Sequence, residues 1–177
     1  MAQGFTLISD PEATVYRKVK IASGTAILAG TVLDRVRGSA TVDAQVATAS
    51  SVTSSIYGVT VSTASSTDTS VLIALITPRQ IWQADCGASG GGTAATSQNG
   101  QRMIFGTETI TLTQNISTLG VSGVVSFAIG TSFANVTTVN NTGSDVTGTT
   151  GVFEQLGTDP LVSTARVVGR LLNEHAA

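Results

Sequence analysis

The residues most able to do chemistry lie together in "DCGASGGGTAATSQNGQ", Asp85 to Gln101. Gly87-Ala88-Ser89-Gly90-Gly91 fits the G-x-S-x-G pattern of a serine-hydrolase elbow, and Cys86, the only cysteine, stands beside it. An elbow works because a strand delivers the serine into a sharp turn and a helix follows, whose N-terminus helps hold the oxyanion. Ile81–Asp85 reads as the strand, but "GGTAATSQNG" is no helix former. Ser89, then Asp145 or Asp159, then His175 imitates the order of a hydrolase triad. Yet His175 is the only histidine and stands third from the end, where chains usually fray. A working triad is therefore not expected.

The other chemistries meet similar obstacles. A phosphate-binding P-loop needs a lysine directly after its last glycine, and the chain contains no Gly-Lys pair. Cys86 as a nucleophile would need a histidine or a helix N-terminus to lower its pKa, so it reads as a small apolar residue at a strand end. One histidine and eleven dispersed carboxylates show no metal-ligand spacing. Trp82 and Tyr57 suit a buried core better than a sugar-stacking platform. The expectation is a protein with no catalytic group, cofactor, metal or small-molecule substrate, whose surface is its function.

The elements that would position these residues read as strands throughout. Val15, Val19 and Ile21 alternate against Tyr16, Lys18 and Lys20, which predicts a half-buried strand. "IYGVTVS" is a strand with Tyr57, Val59 and Val61 aligned. Val71 to Ile76, "VLIALI", is a continuous apolar run between turn residues and a candidate central strand. After Pro78, "RQIWQAD" resumes with Ile81 and Trp82 on opposite faces. Beyond the glycine-rich loop, "QRMIF", "ETITLTQNIS", "VSGVVSFAIG", "FANVTTV" and "GVFEQLG" follow. "TARVVGRLLNEH" is a last strand or short helix, with Val167, Val168 and Gly169 weakening the helix. Strands about every 8 to 12 residues with turns between them predict an all-β fold, a β-barrel or β-sandwich of short antiparallel strands.

Composition agrees. Threonine and serine supply most of the polarity, valine is the commonest bulky apolar residue, and β-branched side chains suit a pleated surface. Residues 1–13 carry Gly4 and Asp10-Pro11 without strong periodicity, so they read as an extended N-terminal arm. Residues 14–177 then form one domain, with Phe5, Leu7 and Ile8 apolar enough for the arm to dock on a partner. Only 11% of residues are charged, against about 25% in an average globular domain, which fits a chain packed against other protein. The nine Lys and Arg are scattered, so no basic footprint for nucleic acid is visible. No apolar run approaches the roughly 20 residues of a membrane-spanning helix, and "MAQGFTLISDPEATV" does not read as a signal peptide.

Several segments carry a likeness. Ile56–Cys86, "IYGVTVSTASSTDTSVLIALITPRQIWQADC", with "GQRM", then "TVNNTGSDVTGTTGVFEQLG" and "VVGRLL", resemble small head proteins of tailed bacteriophages that decorate or cement the capsid. The likeness runs from about Ile56 to Leu172, and Thr107–Asn135 departs from it as an insertion. The resemblance implies a homotrimer on the capsid exterior, assembled in host bacterial cytoplasm, that binds the major capsid protein and stabilises its contacts. Another virion part, such as a tail or fibre subunit, or a carbohydrate-binding β-module is the alternative. In that setting Gly90, Gly91 and Gly92 let a long connection turn or follow a partner's surface, so the expected contact set is Phe5, Leu7, Ile8, Gly90, Gly91 and Gly92.

Overall fold

The computed structural model describes residues 4–10, 13–22, 24, 26–86, 99–120, 123–140, 145–158 and 166–173, with the side chains of 107–136, 140 and 158 outside that description. Every regular element among the described residues is a strand. The all-β expectation holds.

Two sheets face each other. In the first, β1 (Thr6–Ser9), β8 (Ile81–Asp85), β12 (Arg166–Leu171), β11 (Phe153–Thr158), β9 (Arg102–Gly120) and β10 (Gly123–Asn140) lie side by side, each antiparallel to the next. The short β3 (Ala26–Ile27) joins the outer edge of β10 in parallel, at Ala134 and Asn135. In the second sheet the order is β2 (Tyr16–Lys20), β7 (Ser70–Leu75), β6 (Ile56–Thr60), β4 (Val32–Arg35) and β5 (Ala44–Val46), all antiparallel. This sheet curls until its edges meet: Ile21 bridges to Ala44, and the Asp43 amide donates to the Lys20 carbonyl at 2.9 Å. The curl makes it a small barrel on one side of a sandwich, so both architectures expected from the sequence are present in part.

Curling creates two apolar cores. Inside the curl lie Val19, Ile21, Leu33, Ala44, Tyr57, Val71 and Ile73, with Ile27 and Ala64 beside them. The guanidinium of Arg35 sits 4.5 Å from the Tyr57 ring centroid. Between the sheets lie Val32, Ile56, Val59 and Ala74 from the curled sheet, against Phe5, Trp82, Met103, Phe105, Val139, Phe153, Val167 and Leu171. Alternate residues of the strands serve the two cores, and in β6 a bulge shifts the alternation. Leu33 pairs with Gly58 while Asp34 pairs with Ile56, so Tyr57 is the extra residue and turns into the curl while Val59 faces the other sheet. The expected alignment of Tyr57, Val59 and Val61 on one face is thereby corrected. Val61, past the end of β6, is exposed.

Buried polar groups fasten the joints between layers. The Val32 amide, at the start of β4, donates 3.0 Å to Thr137 Oγ1 on β10. Gln80 is wholly buried and closes the turn after Pro78: its Oε1 accepts from the Thr77 amide and its Nε2 donates to the Leu75 carbonyl. That turn carries the chain from one sheet to the other. Asp34 is buried and accepts from the hydroxyls of Ser51 and Ser55, pinning the 48–55 loop to β4. Gly169 on β12 has a role of its own. A Cβ there would lie 2.1 Å from the Glu154 carbonyl oxygen and 2.5 Å from the Phe153 ring.

The N-terminal expectation needs correction for its apolar residues. Thr6–Ser9 is an edge strand of the first sheet, with Leu7 opposite Trp82. Phe5 is 4% exposed and its ring meets Phe105 and Phe153 edge-on, at centroid distances of 5.9 and 5.7 Å. Leu7 packs against the same core, and of the three only Ile8, 51% exposed, presents a surface. The physical reason is that the ring fills a space between strands far along the chain, which no local periodicity reports. The end of the chain resolves the other ambiguity, since Arg166–Leu171 is a strand with alternating burial.

Phe5→Ala is expected to cost about 3–5 kcal/mol, the range for emptying a buried aromatic site. Ile8→Ala should change stability by less than about 0.5 kcal/mol, and urea unfolding of the two variants checks the contrast. Asp34 supplies a second test. Burial raises its pKa above the ordinary carboxylate value, opposed by hydrogen bonds from Ser51 and Ser55. The folded state then holds its proton more tightly than the unfolded chain. Its stabilising contribution is full below the unfolded pKa and is lost as pH rises through the folded one. Melting temperature measured upward from pH 4 should contain a falling component that Asp34→Asn removes.

Candidate interaction surface

Where β1 lies across the curled sheet, the two layers do not close completely. A cleft of about 290 Å³ opens there, lined by Phe5, Leu7, Tyr16, Val59, Val61 and Trp82 among others. Its position follows from the strand pattern. Tyr16 and Lys18 stand on the face of β2 that the alternation turns outward, opposite Ala74 and Leu72 on β7. Nothing described covers that end of the strand pair. Tyr16 is 57% exposed and Leu72 is 40% exposed, and the Val61 amide donates to the Leu72 carbonyl at 3.0 Å. Ile8, next to Leu7 on β1, and Val15 are also exposed. Trp82 is buried, and its indole N–H has no hydrogen-bond partner. The cleft is therefore apolar, with Lys18 the charge closest to Leu72 along the strand pair.

Backbone hydrogen bonds fix this geometry. Gly30 has φ +86°, a left-handed conformation that glycine enters without strain. In that conformation its amide donates to Thr60 and its carbonyl accepts from Phe5, each at 2.7 Å. The start of β1 is thus tied to the curled sheet at one point, and the cleft lies beside that tie. A second cleft of about 340 Å³, on the far side of β12, is lined by Arg102, Glu154, Arg170, Asn173 and neighbours. There Arg170 and Glu154 pair at 2.8 Å. Near the other end of β12, Arg166 holds Asp85 at 2.9 Å.

The residues first considered for chemistry fall as follows. Ser89, Gly90, Gly91, Gly92, Asp159 and His175 lie outside the described residues. The segment containing Ser89 stands between β8 and β9 in the sequence. On one side Cys86 bridges to Val139, and on the other the Gly100 amide donates to the Gln155 carbonyl at 2.7 Å. Asp145 is engaged structurally, accepting from the Arg102 amide at 2.7 Å at the base of β9. Trp82 and Tyr57 are core residues, 2% and 7% exposed. Among the described residues no three of His, Cys, Asp and Glu come together in a metal-binding group. No helix among them is long and apolar enough to cross a membrane. Comparison with protein-family models, with curated proteins and with solved structures finds no match for this chain.

Sequence reasoning missed Tyr16, Val61 and Leu72 as surface residues of interest. Tyr16 carried a signal, because it alternates with Lys18 and Lys20 on the solvent side of its strand. Leu72 carried none, since it sits inside an apolar run that reads as fully buried.

The thiol of Cys86 is half-buried, and desolvation, reinforced by the neighbouring Asp85 carboxylate, pushes its pKa up to about 11. At neutral pH it is a protonated, unreactive thiol. Alkylation by iodoacetamide at pH 8 should run about two orders of magnitude slower than for free cysteine. It should accelerate only as pH approaches 11, and mass spectrometry of the modified chain follows the rate.

Proposed function

We propose that this protein is a structural component of a virion, one that binds the outer surface of a bacteriophage head and stabilises contacts between major capsid protein subunits. One observation carries the reading: the exposed apolar residues Tyr16 and Val61 line the cleft between the sheets, and exposed Leu72 is hydrogen-bonded through its backbone to Val61. Scattered exposed apolar residues are ordinary, but a connected group beside a cleft marks a protein-binding surface. The low charge content supports the same reading, because a protein seated on protein has less surface to solvate. The segments resembling phage head proteins supply the identity of the partner. Ile56–Thr60 and Ser70–Leu75 of that likeness form two of the strands beside the cleft.

A cement protein must be rigid where it bears load and must hold several neighbours at once. Two packed sheets provide rigidity. Association of several copies, most simply as a trimer on the capsid exterior, provides multiplicity, since linked contacts bind far more tightly than single ones. Placement at a symmetry axis of the head follows if the copies close in a ring. Assembly in the host bacterial cytoplasm fits a chain that needs no disulfide. The second reading, a carbohydrate-binding module or a tail or fibre subunit, draws on Tyr16, an exposed aromatic ring at the cleft mouth.

The test is binding to purified phage heads that lack the protein. Co-sedimentation should reach a fixed copy number per head. Tyr16→Ala combined with Leu72→Ser should weaken binding at least tenfold, about 1.4 kcal/mol, while the melting temperature stays close to that of the parent. Failure of the heads to retain the protein, with retention on tails or on a glycan array instead, would establish the second reading.

A further inference from the structure

β9 and β10 are far longer than their neighbours, 19 and 18 residues, and pair with each other almost to their tips. Only their base belongs to the sheet. On one side β11 accompanies β9 only at Arg102 and Met103. On the other, β3 accompanies β10 only at Ala134 and Asn135, with Cys86 bridging at Val139. Beyond these points, Ile110–Gly120 and Gly123–Phe133 form a two-stranded ribbon beside which no other described strand lies. At about 3.3 Å per residue the ribbon projects on the order of 35 Å. A lone two-stranded hairpin is marginal in water, and exposed edges invite pairing with other chains.

Register places the ribbon's residues on two unlike faces. Directly paired residues share a face, and the face that continues from the core pair Phe105 and Val139 is rich in threonine. It carries Thr107 with Thr137, Thr109 with Asn135, Thr111 with Phe133 and Thr113 with Thr131, and turns apolar only near the tip, at Leu119 with Val124. The opposite face carries Ile110 with Ala134, Leu112 with Ser132, and, past the bulge at Ile129, Ile116 with Phe127 and Thr118 with Val125. Between Glu108 and Asp145 the chain has no charged residue at all. Proteins usually guard exposed strand edges with lysine, proline or inward-pointing charge. This ribbon has none of these guards.

We propose that the ribbon is where copies of this chain join. The face bearing Ile110, Leu112, Ile116, Val125 and Phe127 turns toward the ribbons of neighbouring copies, with the β9 edge of one copy beside the β10 edge of the next. A neutral stripe meets an identical neutral stripe without like-charge repulsion, whereas nucleic acid or an anionic surface would call for cations. The amount of surface is also sufficient. Roughly 22 residues per copy are divided between two neighbours, and each of the two contacts joins a paired backbone edge to the apolar face, so that every copy as a whole commits the 20–30 residues of a standard interface side. Because β9 and β10 run in opposite directions, copies around an axis along the ribbons bring unlike edges together antiparallel, so a ring closes with no edge left over. Lipid is a poorer occupant, since Gln114 and Ser132 interrupt the apolar face and the ribbon lacks the aromatic girdles of membrane barrels.

Sedimentation equilibrium of the full chain decides this without phage heads, so its outcome is separable from that of the capsid reading. The parent should form one discrete oligomer at micromolar concentration. Leu112→Lys with Ile116→Lys should yield a monomer with an unchanged β-sheet circular dichroism spectrum. Thr111→Lys with Thr113→Lys, on the other face of the same strand, should leave the oligomer intact and shows that added charge alone is not the cause. A monomeric parent, an oligomer indifferent to the Leu112 and Ile116 changes, or equal disruption by both double variants would overturn the proposal. So would binding of the parent to neutral phosphatidylcholine vesicles in place of self-association.

Discussion

The fold depends on three phenylalanine rings meeting edge-on. Phe5, Phe105 and Phe153 come from three separate parts of the chain and meet in the space between the two sheets. Edge-to-face rings interlock as well as bury area, and such pairs add about 0.5–1.5 kcal/mol beyond burial. Phe105 sets the base of β9, from which the ribbon departs. Phe153 lies across Gly169, where any side chain would meet ring and backbone at once. Phe5 brings β1 against β8 and, through the Gly30 tie, against the curled sheet. Without that anchor, neither the edge of the first sheet nor the cleft beside it has a fixed position.

From this anchor the chemistry of the surface follows. The curled sheet satisfies two cores with one set of strands by alternation, and in β6 the extra residue Tyr57 opposite β4 shifts that alternation. At its other end Tyr16, Leu72 and Val61 are left exposed. Groups able to react are drawn into structural work instead. Cys86 is desolvated beside a carboxylate, Asp34 holds a loop through two serines, and Asp145 receives a backbone amide. The proposed capsid role draws on shape and apolar contact.

Much of the architecture was legible because β-structure writes a period of two into the sequence. Val19 and Ile21 are buried as their alternation demands, and Trp82 and Ala84 are buried between half-covered neighbours. The apolar run Val71 to Ile76 falls largely in β7, which has a neighbour on each side, but β6 and not β7 is the central strand of its sheet. Three features escaped. Phe5 lacks an alternating context, since Gly4 precedes it and its ring partners are remote in sequence. The switch of faces at Tyr57 comes from a bulge against β4, which a single strand does not announce. The two threonine-rich segments after Gly106 read as ordinary strands, and only their register reveals one long ribbon, because pairing partners are a property of the fold.

The anchoring role of Phe5 is tested most directly by native-state hydrogen exchange read by mass spectrometry. If the aromatic cluster unites the domain, amides of Phe5–Ser9 that pair with Gly30 and β8 should open only with the whole molecule. Their protection should then match that of Phe153–Thr158, with both falling together as denaturant is added. Exchange of the N-terminal segment at the rate of an unstructured chain, while β11 and β12 stay protected, would contradict this account.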